Sequence, residues 1–127
     1  MRMEHIALYV NDLDGAKTFF ETYFDAQSGV PYHNSNTDFR SVFLSFINGS
    51  RLELMTKPAL TDSGDLLNRF GYAHIAFSVG SKDAVDALTT QMVNDGYICL
   101  SGPRTTGDGY YESCILGFEG NLIEITV

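Results

Sequence analysis

The chain has 127 residues, enough for one domain with a proper core, and 44% hydrophobic with 19% charged residues is a globular rather than a disordered composition. A formal net charge of -8 argues against nucleic acid and against an anionic membrane surface, leaving a small molecule or another protein as partner. No apolar run approaches the roughly 20 residues that span a bilayer, and the start, M-R-M-E-H-I-A-L, lacks a signal peptide's layout. Cys99 and Cys114 have no C-x-x-C spacing and read as two buried thiols of a reducing cytoplasm.

In chain order, residues 3–10 alternate as a strand, with Ile6, Leu8 and Val10 on one face and His5, Ala7 and Tyr9 on the other. Asn11 or Asp12 can cap the helix D-L-D-G-A-K-T-F-F-E-T-Y-F, whose Ala16, Phe19, Phe20, Tyr23 and Phe24 form a stripe fit to lie on a sheet. A short edge strand near Ser28–His33, a strand over Phe39–Phe46 and its hairpin partner Arg51–Met55 follow. Residues 57–72, with Pro58, Gly64 and Gly71, read as a linker holding one short helix around Asp65–Phe70. After it come a strand (Ala73–Val79), a helix capped by Ser81 and ended by Asp95-Gly96, and a strand (Tyr97–Leu100). A polar loop, then strands Tyr110–Phe118 and Leu122–Val127, complete the pass.

The second pass repeats the first. A shift of 69 positions (74 − 5) lays His5 on His74, Phe19 on Leu88 and Tyr23 on Met92, so the helix stripes superimpose. A shift of 71 (124 − 53) then lays R-L-E-L-M on L-I-E-I-T. The expectation is an α+β fold of two βαβββ modules, about 1–56 and 73–127, making a cup-shaped, mostly antiparallel sheet with helices outside.

Duplication turns four residues into two equivalent pairs. His5 and Glu53, and His74 and Glu124, each lie in a short apolar strand on the face opposite its Ile, Leu and Val side chains. A single imidazole or carboxylate in a strand is ordinarily a satisfied or solvated group. Four of them at matching repeat positions point to a common compensator, a divalent metal. Nitrogen and oxygen donors suit Ni, Co, Zn, Mn or Fe, and four protein ligands on an octahedral ion leave two positions open.

The segments E-H-I-A-L-Y-V-N-D-L, G-Y-A-H-I-A-F-S-V and F-E-G-N-L-I-E-I together resemble the vicinal oxygen chelate superfamily over nearly the whole chain, read as one domain, 1–127. That superfamily includes glyoxalase I, methylmalonyl-CoA epimerase, extradiol dioxygenases, and fosfomycin and bleomycin resistance proteins. The turn usually written D-P-x-G-N is here Gly117-Phe118-Glu119-Gly120-Asn121. The four filled positions look most like small bacterial glyoxalase I. The resemblance implies that His5, Glu53, His74 and Glu124 bind the metal. It also implies a lyase or isomerase acting on an α-oxo, hemithioacetal-type substrate through a metal-chelated enediolate, with Glu53 or Glu124 as general base and a thiol as co-substrate. Arg51, Arg104, Tyr110 and Tyr111 are the substrate-binding candidates, with Arg40 and Asn68 behind them. The loop G-P-R-T-T-G-D-G-Y-Y-E-S either closes over the cup or is a plain hairpin turn. Arg40 and Glu112, at equivalent repeat positions, are candidates to pair with each other, and His33 has no assigned role. A homodimer is expected, in the cytoplasm.

Two other functions compete. An Fe(II) dioxygenase would use His5, His74 and Glu124 and tolerate Glu53→Gln. A binding protein that sequesters an antibiotic would keep its ligand after losing all four residues.

Overall fold

The computed structural model describes residues 4–61, 64, 72–107 and 109–127, and the chain divides into two units, Met1–Asp62 and Ser63–Val127. The helix expected at 65–70 lies outside the described residues.

In the first unit, β1 (Ile6–Tyr9) leads into α1 (Leu13–Phe24). Asp12 caps the helix by accepting from the Gly15 N–H at 2.9 Å, and Asp25, left-handed at φ 52, ends it. Ala16, Phe19, Phe20 and Phe24 are buried along one helix face, over β4 (Phe39–Ser45) and β5 (Arg51–Thr56). The expected edge strand is split: β2 (Gln27–Ser28) and β3 (Tyr32–Asn34) both pair with β4, interrupted at Gly29-Val30-Pro31. Pro31 has no N–H to give the ladder. The strand order is β1-β5-β4-β2, with β1 and β5 parallel.

The second unit repeats that plan with β6 (Ile75–Ser78), α2 (Lys82–Asn94), β7 (Ile98–Thr105), β8 (Tyr111–Leu116) and β9 (Leu122–Thr126). Ser81 caps α2 through the Ala84 N–H at 3.1 Å. Gly96 at φ 98 ends it, with Tyr97 N–H bonded back to the Met92 carbonyl at 3.0 Å. The order is β6-β9-β8-β7, again with the first and last strands parallel. The α+β class and the duplicated βαβββ module are therefore as the repeat implied, and the single curved sheet is resolved into two sheets, one per module.

One boundary moves. β7 runs on through Thr105 where a loop was expected after Leu100, and its register against β8 shifts twice, around Ser101 and before Arg104. Gly102 permits this. Its φ is +83, and a Cβ there would lie 2.4 Å from the Glu112 carbonyl oxygen. Pro103 is tolerated because β7 is the edge of its sheet. Leu44, Leu54, Ile115, Ile123 and Ile125 are the solvent-free centre of the two sheets, each on the face its own helix covers.

Candidate metal centre

Strand alternation puts each His–Glu pair on the sheet face opposite its helix. In β5, Leu52 and Leu54 are buried toward α1, which leaves Arg51, Glu53 and Met55 on the other face. Ala7 and Phe43 flank Glu53 in register. His5, just ahead of β1, brings Nε2 to 3.6 Å from Glu53 Oε2, and its ring meets Phe43 edge-on at 5.1 Å. The other ring nitrogen, Nδ1, is hydrogen-bonded to the Glu4 carboxylate. That carboxylate also accepts from the Arg51 guanidinium, which lies 4.3 Å over the Phe43 ring. The hydrogen bond from His5, then that from Arg51, holds the Glu4 carboxyl below its usual range.

The second unit has the same frame. Ile123 and Ile125 are buried toward α2, and Leu122, Glu124 and Thr126 take the opposite face. Ala76 stands beside Glu124 as Ala7 stands beside Glu53. His74 Nε2 lies 3.1 Å from Glu124 Oε2. Each pair is partly exposed, and such pairs contribute about 0–1 kcal/mol to stability. Fold stability alone is a weak reason for placing the same pair twice.

The structure thus brings together His5 with Glu53 and His74 with Glu124. Among the described residues no three His, Cys, Asp or Glu side chains gather into a metal-holding group. The donors are imidazole nitrogen and carboxylate oxygen, a set that suits a borderline divalent ion. Cys114 stands across the ladder from Glu124. Burial first, then the charge of Glu124 and the neighbouring Cys99, raise its pKa. Both cysteines are free and half-buried rather than fully buried as expected.

The remaining candidates scatter. Arg51 is taken by Glu4. Arg104 stands opposite Glu112 in the ladder, and its side chain has no partner among the described residues. Tyr110, 60% exposed, closes a tight turn in which its N–H reaches Thr106 Oγ1 at 3.0 Å. The start of the proposed loop, through Thr105, is thus β7 and its end, from Tyr111, is β8, with a turn closed by Thr106 and Tyr110 between them. Tyr111 departs from the substrate-side expectation. It shares the α2 face with buried Ser113 and donates its hydroxyl to Asp86 of α2 at 2.7 Å, under Lys82. That bond raises its pKa. Arg40 pairs with Asp38, which also takes exposed His33. Asn68 lies outside the described residues. Glu4 and Cys114 were missed. The shift of 71 that lays Glu53 on Glu124 also lays Phe43 on Cys114 (43 + 71 = 114), which marks position 114 as facing the site.

A family model described as the Glyoxalase/Bleomycin resistance protein/Dioxygenase superfamily matches residues 2–125. The chain belongs to that superfamily. No individually curated protein matches the sequence. Among solved structures, a glyoxalase family protein from Bacillus cereus is 20% identical, with 99% of this chain and 93% of that one covered at a TM-score of 0.83. Glyoxalase I of Leishmania major, described as trypanothione-dependent, is 21% identical over 99% and 86%, at 0.78. A fosfomycin resistance protein of Listeria monocytogenes, solved with Mn(II) and sulfate, is 21% identical over 99% and 91%, at 0.72. At these identities the likeness is one of fold. Superfamily membership places the protein among relatives that include enzymes, one of them solved with a divalent metal. No helix among the described residues is long and apolar enough to cross a membrane.

Proposed function

We propose that this member of the superfamily is a metal-dependent lyase or isomerase of the glyoxalase I type. It acts on a small α-oxo substrate of hemithioacetal form, with a thiol as co-substrate. His5, Glu53, His74 and Glu124 hold one divalent ion, one pair from each unit, whether the two units belong to one chain or to two. The observation that carries this is the recurrence of a facing imidazole and carboxylate, 3.6 and 3.1 Å apart, at equivalent positions of both modules. When bound, the ion polarises the carbonyl beside the carbon that loses its proton.

The chain's own work is proton transfer. Glu53 or Glu124 accepts the proton from that carbon and returns it to the neighbouring one, which conserves atoms and charge. Leu122, Cys114 and Ala76 neighbour Glu124, and Phe43, Met55 and Ala7 neighbour Glu53 beside the charged Arg51. Arg104, on the same face of β8 and β7 as Glu112 and Cys114, is the cation we assign to a substrate carboxylate, with Tyr110 beside it at the hairpin end. Two free cysteines fit a reducing cytoplasm.

The test is metal content by elemental analysis of gently purified protein, beside isomerisation of methylglyoxal–thiol hemithioacetals. Near one equivalent of Ni, Co, Zn, Mn or Fe is expected, with hemithioacetal turnover that Glu53→Gln impairs and that falls by about 10²–10⁴-fold, the usual worth of a general base, in whichever of Glu53→Gln and Glu124→Gln removes the base. Turnover of catechols with oxygen uptake, untouched by Glu53→Gln, would instead make the protein an Fe(II) dioxygenase. Metal-free protein that cannot be reconstituted would end both enzyme readings.

A further inference from the structure

The two halves of the candidate centre are not equivalent. At Glu4's place the second module has Ala73 (4 + 69 = 73), and at Arg51's place it has Leu122 (51 + 71 = 122). Phe43, which sits under the Arg51 guanidinium, is replaced there by Cys114. The Glu4–Arg51–Phe43 cluster therefore exists in one module only, and it is built around one ring nitrogen of one histidine.

Glu4 accepts from Arg51 through one oxygen and contacts His5 Nδ1 through the other. A carboxylate held by a guanidinium is ionised and can only accept, so Nδ1 must carry the proton of that contact. Nε2, the nitrogen that faces Glu53, is then the one left to offer a lone pair. An outer carboxylate on the far nitrogen of a ligating histidine fixes tautomer and ring orientation and makes the imidazole a better donor. Phe43 restrains both partners, edge-on to the ring at 5.1 Å and beneath the guanidinium at 4.3 Å. Among the described residues His74 is paired through Nε2 alone, to Glu124.

We propose that Glu4, held by Arg51, is a positioning residue that sets His5 in the Nδ1–H tautomer and primes its Nε2 for the divalent ion, making the first module's histidine the stronger donor of the two. The inference rests on the metal reading above. It assigns Arg51 to Glu4 rather than to substrate.

The experiment compares wild type, Glu4→Ala, Arg51→Met and His5→Ala, with Co(II) affinity read by competition against a chelating indicator. The histidine tautomers of the metal-free proteins are read from ring ¹⁵N shifts. Glu4→Ala is expected to weaken Co(II) binding about 10–100-fold, the usual cost of removing an outer-shell partner. It should also shift His5 from the Nδ1–H toward the Nε2–H form and leave the His74 signals in place. Arg51→Met should move both readouts the same way by less, because Glu4 remains but is no longer held. Wild-type Co(II) affinity in Glu4→Ala, alongside loss of binding in His5→Ala, would overturn the role of Glu4 and leave the metal reading standing. An unchanged His5 tautomer in Glu4→Ala would overturn it as well. Wild-type binding in His5→Ala would bring down the metal reading itself, and this role with it.

Discussion

Cys114 and Glu124 stand opposite each other on adjacent strands, and that adjacency fixes how the thiol should behave. Its pKa is raised by burial first and by the Glu124 charge second. The thiolate is the reactive species, so at pH 8 less of it is present than at an ordinary cysteine. Glu124→Gln removes the second cause and lowers the pKa toward normal. Alkylation of Cys114 by iodoacetamide, followed by mass spectrometry at pH 8, is expected to be slower than in the urea-unfolded chain and to speed up several-fold in Glu124→Gln. Equal rates in folded and unfolded protein would show that the thiol is not held in this environment. The same residue shows where sequence reading reaches its limit. Glu53 and Glu124 were legible because a carboxylate breaking a Leu-Ile alternation is conspicuous. Cys114 was not, since a cysteine is at home in any strand. Glu4 was hidden for another reason: strand alternation sends neighbours to opposite faces, yet Glu4 and His5 precede β1 and escape that rule.

Among the elements, α1 and α2 were legible almost to the residue, because caps and apolar spacing are local signals. The turn-forming Gly102-Pro103 misled, since only the β8 partner reveals that these residues are paired edge strand. The seam between α2 and β8 carries a sharper consequence. Thr89 Oγ1 lies 2.6 Å from Ser113 Oγ and donates to the Val85 carbonyl, also at 2.6 Å, so Ser113 is the donor between the two hydroxyls. Both side chains are buried, Ser113 to 1% exposure. Thr89→Val leaves Ser113 without its acceptor in a dry seam, which costs about 1–3 kcal/mol. Ser113→Ala leaves Thr89 bonded to Val85 and should cost under about 1 kcal/mol, close to an ordinary hydrogen bond. Urea unfolding of the two variants should therefore rank Thr89→Val as the more damaging. The reverse order would mean that water, not Thr89, satisfies Ser113.

At the scale of the whole molecule, the repeat was legible because its helix stripes and its His and Glu positions keep register through two shifts. How many chains share a centre was not, since a module's strands carry no address for their partner. A homodimer is expected: light scattering after gel filtration at micromolar concentration should give about twice the 14.0 kDa of one chain. The same two-and-two arrangement yields a test that does not depend on any substrate. Added ion binds the folded protein and not the unfolded chain, so it stabilises by mass action, by about 2.7 kcal/mol at a hundred times its Kd. If one ion takes all four ligands, the variant lacking His5 and Glu53 and the variant lacking His74 and Glu124 should each lose that stabilisation completely. Thermal unfolding with and without Co(II) reads the loss directly, and titration of wild type should end at one ion per two pairs. Two weakly holding, independent pairs would instead leave each double variant with its own shift and wild type with two equivalents. That outcome would dissolve the common centre while leaving the fold and the superfamily untouched, because duplication alone places a histidine and a glutamate on each sheet.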